Sequence, residues 1–170
     1  LYNTTSQPIA IGGWFLSDAA GDEASIKKYE IPLGTIIPAG GYVVFYENQH
    51  FGNPSAPGVF VPFAFSEGGE TAYLRSGADG VLGGYEVSQS FGASDTGISF
   101  GRYAKSVLDG GIVFTAMSSP TPGAANAYPL VGPVVISEIQ YHPSAADTGG
   151  EYLELRNISS QPVVLQDEVS

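Results

Sequence analysis

The sequence predicts an all-β protein folded as a β-sandwich, on three observations. β-Rich runs recur, each followed by a turn signal. No stretch longer than about ten residues reads as an amphipathic helix before a glycine, proline or β-branched cluster interrupts it. The chain also carries 23 Gly and 12 Pro, high for a helical protein and natural for short strands joined by turns.

The candidate strands justify themselves in order. Trp14–Ser17 enters straight after Gly12-Gly13, and the lone Trp14 reads as a core anchor. Lys28–Ile31 is a second short run. Tyr42–Tyr46 follows the turn Pro38-Ala39-Gly40-Gly41 with β-branched and aromatic residues throughout. Val59–Ala64 comes after Asn53-Pro54. Thr71–Arg75 leaves the loop Ser66–Glu70, whose Gly68 and Gly69 admit positive φ and whose Glu70 can cap loop amides. Asp79-Gly80 precedes Tyr85–Ser88, and Asp109-Gly110-Gly111 separates Ser99–Tyr103 from Ile112–Phe114. Eight strands at this spacing suit a sandwich.

Composition sets the bounds. A chain of 170 residues suits one ordinary domain with at most part of a second. It can bury roughly 70% of its unfolded surface, enough to need no disulfide or metal. With 43% hydrophobic residues it has material for a core. Six Lys+Arg stand against 17 Asp+Glu, a formal charge of −11. Phosphate binding needs clustered cations, and the nearest thing to a cluster is Lys27-Lys28, so nucleic acid and anionic membranes are not expected partners. The absence of cysteine removes disulfides, thiolate zinc sites and thiol nucleophiles. No apolar run is long enough to predict a membrane-spanning helix. Opening at Leu1 rather than Met, the sequence reads as a fragment or processed product whose targeting segment lies elsewhere.

The most informative feature is an internal repeat. Leu155-Arg156-Asn157-Ile158-Ser159-Ser160-Gln161-Pro162-Val163-Val164-Leu165 aligns with Leu1-Tyr2-Asn3-Thr4-Thr5-Ser6-Gln7-Pro8-Ile9-Ala10-Ile11, with five of eleven pairs identical at an offset of 154 residues. The division expected is 1–126 for a sandwich lacking its first strands, 127–132 for a linker, and 133–170 for the start of a second repeat. Pro133–Ile139 and Glu151–Leu155 read as the leading strands of that repeat. Two strands alone are marginal in water. They are therefore expected to complete the first repeat, in cis or by a strand swap between chains. The linker spans about 20 Å at full extension, which keeps the swap open.

These residues resemble a known family. Gly34-Thr35-Ile36-Ile37-Pro38-Ala39-Gly40-Gly41-Tyr42-Val43-Val44-Phe45 is similar to the middle of bacterial lamin-tail domains. So are Gly13-Trp14-Phe15-Leu16-Ser17-Asp18, Ser66–Leu74 and Thr121-Pro122-Gly123-Ala124-Ala125-Asn126. Ile136-Ser137-Glu138-Ile139, Tyr141-His142-Pro143 and Glu151–Leu155 resemble the family's opening. The resemblance implies an immunoglobulin-like sandwich acting as a non-catalytic module in large exported or surface proteins.

Residues with chemical potential have bland readings beside the functional ones. His50 reads as a solvated loop histidine and His142 as a turn feature, each with a lesser metal or catalytic reading. No Gly-x-Ser-x-Gly, His-Glu-x-x-His or phosphate loop is present. Glu151 and Glu154 sit at odd strand spacing, which points them to opposite faces and away from a glycosidase pair. Asp18 with Asp22-Glu23, and Asp147 near Glu151, are oxygen clusters that either bind calcium or are plain acidic loops. Asn3-Thr4-Thr5 and Asn157-Ile158-Ser159 match the glycosylation pattern, but turn chemistry explains them better. Tyr2, Tyr85 and Tyr103 are candidates for a sugar platform.

The function expected is therefore a non-catalytic structural or interaction module, a spacer or scaffold repeat of a larger exported or cell-surface bacterial protein. The alternative is a carbohydrate-binding, calcium-assisted adhesion module. An enzyme ranks third, for want of a convergent acid, base or nucleophile. No catalytic, metal or cofactor residue is assigned and no cofactor is expected. Expected partners are neighbouring domains, other proteins, surface polysaccharide, or a second copy through strand swapping. The expected location is extracellular or at the cell surface.

Overall fold

The computed structural model describes residues 1–105, 110–146 and 149–165. It divides into two compact units, Leu1–Pro129 and Leu130–Ser170. The described residues are almost all strand and turn, with one four-residue helix.

In the first unit the main sheet has four strands, all antiparallel. Taking the strands in chain order, β1 is Ile9–Ala10, β2 Phe15–Ser17, β3 Tyr29–Glu30, β4 Ile36–Ile37, β5 Gly69–Ala78 and β6 Val81–Gly92. The sheet order is β3-β2-β5-β6. β5 and β6 form a long hairpin whose two-residue turn is Asp79-Gly80. Both turn residues have positive φ, 50° and 74°, the conformation whose twist matches two antiparallel strands. The predicted strands Thr71–Arg75 and Tyr85–Ser88 lie within this hairpin. It runs on through Gly77, which pairs with Leu82, while Gly83 and Gly84 lie at a register shift opposite Ser76, the kind of irregularity that glycine accommodates within a strand.

Two smaller ladders complete the unit. β1 pairs with β4. β7, Phe100–Ala104, pairs with β8, Ile112–Ala116, in the places predicted for the last two strands. The helix α1, Glu23–Ile26, is capped by Asp22, whose Oδ1 accepts from the Ser25 N–H at 2.9 Å.

Two predicted strands are corrected. Val59–Ala64 is not a strand: only Val59 bridges, to Tyr29, and the Phe60 and Val61 N–H groups both donate to the Lys28 carbonyl. Pro62, lacking an N–H, breaks any ladder. Tyr42–Tyr46 reduces to one bridge, Tyr42 to Tyr2. Beyond that bridge the chain turns back, as the His50 N–H donates to the Tyr46 carbonyl at 2.8 Å.

The core is a cluster of Ile11, Tyr29, Ile31, Ile37, Phe51 and Phe63, with Trp14, Leu16, Val43 and Leu74 half-buried against it. Trp14 is thus an edge of the core, packed on Tyr85 at 5.5 Å, rather than its centre. From Phe51 and Phe63, stacked at 4.7 Å, ring contacts run through Phe65, Phe91 and Phe100 to Phe114. This ladder of phenylalanines ties the main sheet to the β7–β8 pair, each contact adding to the burial it accompanies.

The second unit holds one antiparallel pair, β9 (Val134–Gln140) and β10 (Tyr152–Asn157), with a register shift between Glu154 and Leu155. All six residues of β10 are exposed, and Ile136 and Ile139 of β9 are more than half exposed.

Candidate functional site: a strand edge and a repeated turn

The repeated motif folds into the same turn twice. In the first unit Asn3 Oδ1 accepts from the Thr5 N–H at 2.9 Å and the Thr5 hydroxyl at 2.8 Å. Asn3 Nδ2 donates to the Gln7 carbonyl at 2.7 Å, and the Thr5 hydroxyl donates to the same carbonyl at 2.9 Å. In the second unit Asn157 Oδ1 accepts from the Ser159 N–H at 2.9 Å and its hydroxyl at 2.8 Å. Asn157 Nδ2 donates to the Gln161 carbonyl at 2.7 Å. Short polar side chains closing their own backbone in this way are why Asn, Ser and Thr recur in turns.

The two copies differ in what surrounds them. Asn3 is 2% exposed and its Nδ2 reaches two further carbonyls, Ile37 at 3.1 Å and Pro38 at 3.0 Å. Asn157 is exposed, and among the described residues its amide meets only the local carbonyl. The turn reading of the glycosylation-like motifs therefore holds for both, and Asn3 is too buried to serve as an acceptor.

The strand ending in Asn3 has one occupied side. Leu1 exchanges hydrogen bonds with Val43, and the Asn3 N–H donates to the Gly41 carbonyl at 3.0 Å. Between them Tyr2 and Tyr42 form a non-hydrogen-bonded pair, their rings stacked 4.7 Å apart. The Tyr2 N–H and C=O point to the other side and find no partner among the described residues. In the second unit the equivalent residue is Arg156, which lies opposite Val135 of β9. The Ile158 N–H donates to the Pro133 carbonyl at 2.8 Å, and the alternation of an antiparallel ladder then makes Arg156 and Val135 a hydrogen-bonded pair.

The other singled-out residues take fold-holding roles. His50 is not simply solvated, a correction to its sequence reading. It is half-buried against the rings of Phe45, Tyr46 and Tyr29, and its Nδ1 accepts from the Tyr46 N–H at 3.0 Å. Tyr29 comes from β3, so this nest is assembled from separate segments and the local sequence does not announce it. His142 is exposed beside Tyr141. Asp18 pairs with Lys28 at 2.5 Å, Asp22 caps α1, and Glu23 pairs with Lys27. The Asp22 carboxyl is held below its usual range by the Ser25 hydroxyl and N–H that donate to it. Glu70 accepts from the Ser66 N–H, the loop cap expected of it.

Glu154 accepts from the Ser137 hydroxyl, and Glu138 accepts from the Tyr152 hydroxyl at 2.6 Å, which pushes the Tyr152 phenol up. Glu151 is exposed just before β10, and Asp147 lies outside the described residues. Tyr2, Tyr85 and Tyr103 do not share a platform: each packs on a different ring, those of Tyr42, Trp14 and Tyr128. Among the described residues no group of three metal-type donors converges, and no helix is long and apolar enough to cross a membrane.

Sequence reasoning missed one charged residue altogether. Arg75, 7% exposed, donates to Glu86 at 2.6 Å, to the Ser17 hydroxyl at 3.0 Å and to the Ala19 carbonyl at 3.2 Å, and lies 4.6 Å from the Tyr73 ring centroid. An arginine inside a strand of otherwise core-forming residues was the only available signal.

Two open, mostly apolar grooves mark the first unit. One, about 540 Å³, lies between Phe15, α1 and the Phe60-Val61 segment, and its two charged residues, Glu23 and Lys27, are tied to each other. The other, about 330 Å³, follows the phenylalanine ladder past Phe65, Phe91 and Phe114. Neither gathers an acid, a base and a nucleophile.

Comparisons with curated proteins and with solved structures gave no match. The model of the Lamin Tail Domain family, an immunoglobulin-like structural domain, matches residues 1–90. That segment holds the main sheet nearly to the end of β6, the buried Asn3 turn and every residue of the core cluster, and it is more than half of the chain. The chain belongs to the lamin tail domain family, with the all-β, immunoglobulin-like sandwich that the family implies.

Proposed function

We propose that this chain is a non-catalytic spacer or scaffold module of a larger exported or cell-surface protein of bacterial type, in which lamin tail domains follow one another in tandem. The observation that carries the reading is the use made of its polar side chains. Asn3, Asp18, Asp22, Glu23, His50 and Arg75 are each engaged in a turn, a cap, an ion pair or a ring contact that holds the fold. A catalytic site instead leaves acid, base and nucleophile convergent and free to meet a substrate. The duplicated Asn turn, closed by matching bonds in both units, supports the tandem arrangement.

The test is the coding sequence on either side of these residues. A secretion signal with further lamin tail repeats in frame is the expected result. A cytoplasmic reading frame with no second domain would refute the proposal. Purified protein should be inert toward glycoside, ester and peptide substrates, and turnover that persists through purification and is abolished by His142→Ala would reverse the assignment.

A further inference from the structure

We draw no further inference here: the strongest candidate, the open apolar groove between Phe15, α1 and the Phe60-Val61 segment of the first unit, carries none, because its two charged residues are tied to each other and nothing in the structure shows what covers it.

Discussion

Replacing Asn3 by alanine should unfold the first unit far more readily than its solvent-exposed position in the second copy would suggest. The side chain makes five hydrogen-bond contacts, three within its own turn and two to Ile37 and Pro38, more than thirty residues away, its two amide hydrogens being shared among three carbonyls. Each is worth about 1 kcal/mol net, with the turn bonds worth less because water can replace them. One buried and one part-buried long-range contact, with a turn worth about 1 kcal/mol, put the loss near 3 kcal/mol. With a urea slope of about 2 kcal/mol per molar for a unit of this size, the midpoint should fall by about 1.5 M. Trp14 is the only tryptophan and lies in the first unit, so its fluorescence reads this transition alone.

Two companions sharpen the test. Asn157→Ala removes the same local bonds from the exposed turn and should leave the Trp14 transition where it is. Asn3→Asp keeps the contacts to Thr5 but turns a carboxylate oxygen toward three carbonyls, so it should fall as far as Ala or further. Should Asn3→Ala shift the midpoint no more than Asn157→Ala does, the clamp has been given a role it does not have.

Further predictions follow from other contacts. Gly58→Ala should cost at least about 2 kcal/mol in thermal unfolding, since φ is +84° and an added Cβ would sit 2.1 Å from the Glu30 carbonyl oxygen. Arg75→Ala should cost about 2–4 kcal/mol in urea unfolding through its lost hydrogen bonds and packing, whereas Glu86→Gln should cost less than about 1 kcal/mol because that carboxylate is half exposed. Equal losses for the two would contradict this. Burial pushes the Tyr29 phenol above its ordinary value of 10.0. Between that value and the raised one the unfolded chain has lost the proton while the folded one keeps it, so stability falls as pH rises above about 10. Tyr29→Phe should flatten that alkaline slope in urea titrations at successive pH values, and an unchanged slope would assign it to another group.

Much of the architecture was legible because its signals are local. The β5–β6 hairpin announces itself in Asp79-Gly80 between two β-rich runs, and β9 in its β-branched run Val134-Val135-Ile136. The breaks in legibility come where long-range pairing decides. β1 and β4 are two residues each and exist only because Ile9 and Ile37 meet across the chain. Phe60-Val61 is as β-prone as any strand, yet it shares a single carbonyl beside Pro62. The same limit governs the candidate site: the duplicated turn was visible as a repeat, but the nest around His50 required knowing which segments become neighbours.

The duplicated turn also says something about the order of folding. In the second unit it closes with the same bonds and lengths as in the first, although Asn157 has no core around it. Its geometry is therefore set by the few residues within it, and loops of that size close in well under a microsecond. The segment Leu1–Gln7 can thus adopt its final shape before the slower, non-local pairing brings Ile37 and Pro38 to it. When those carbonyls arrive they find an amide already turned to receive them, a prepared docking point that spares the chain one search.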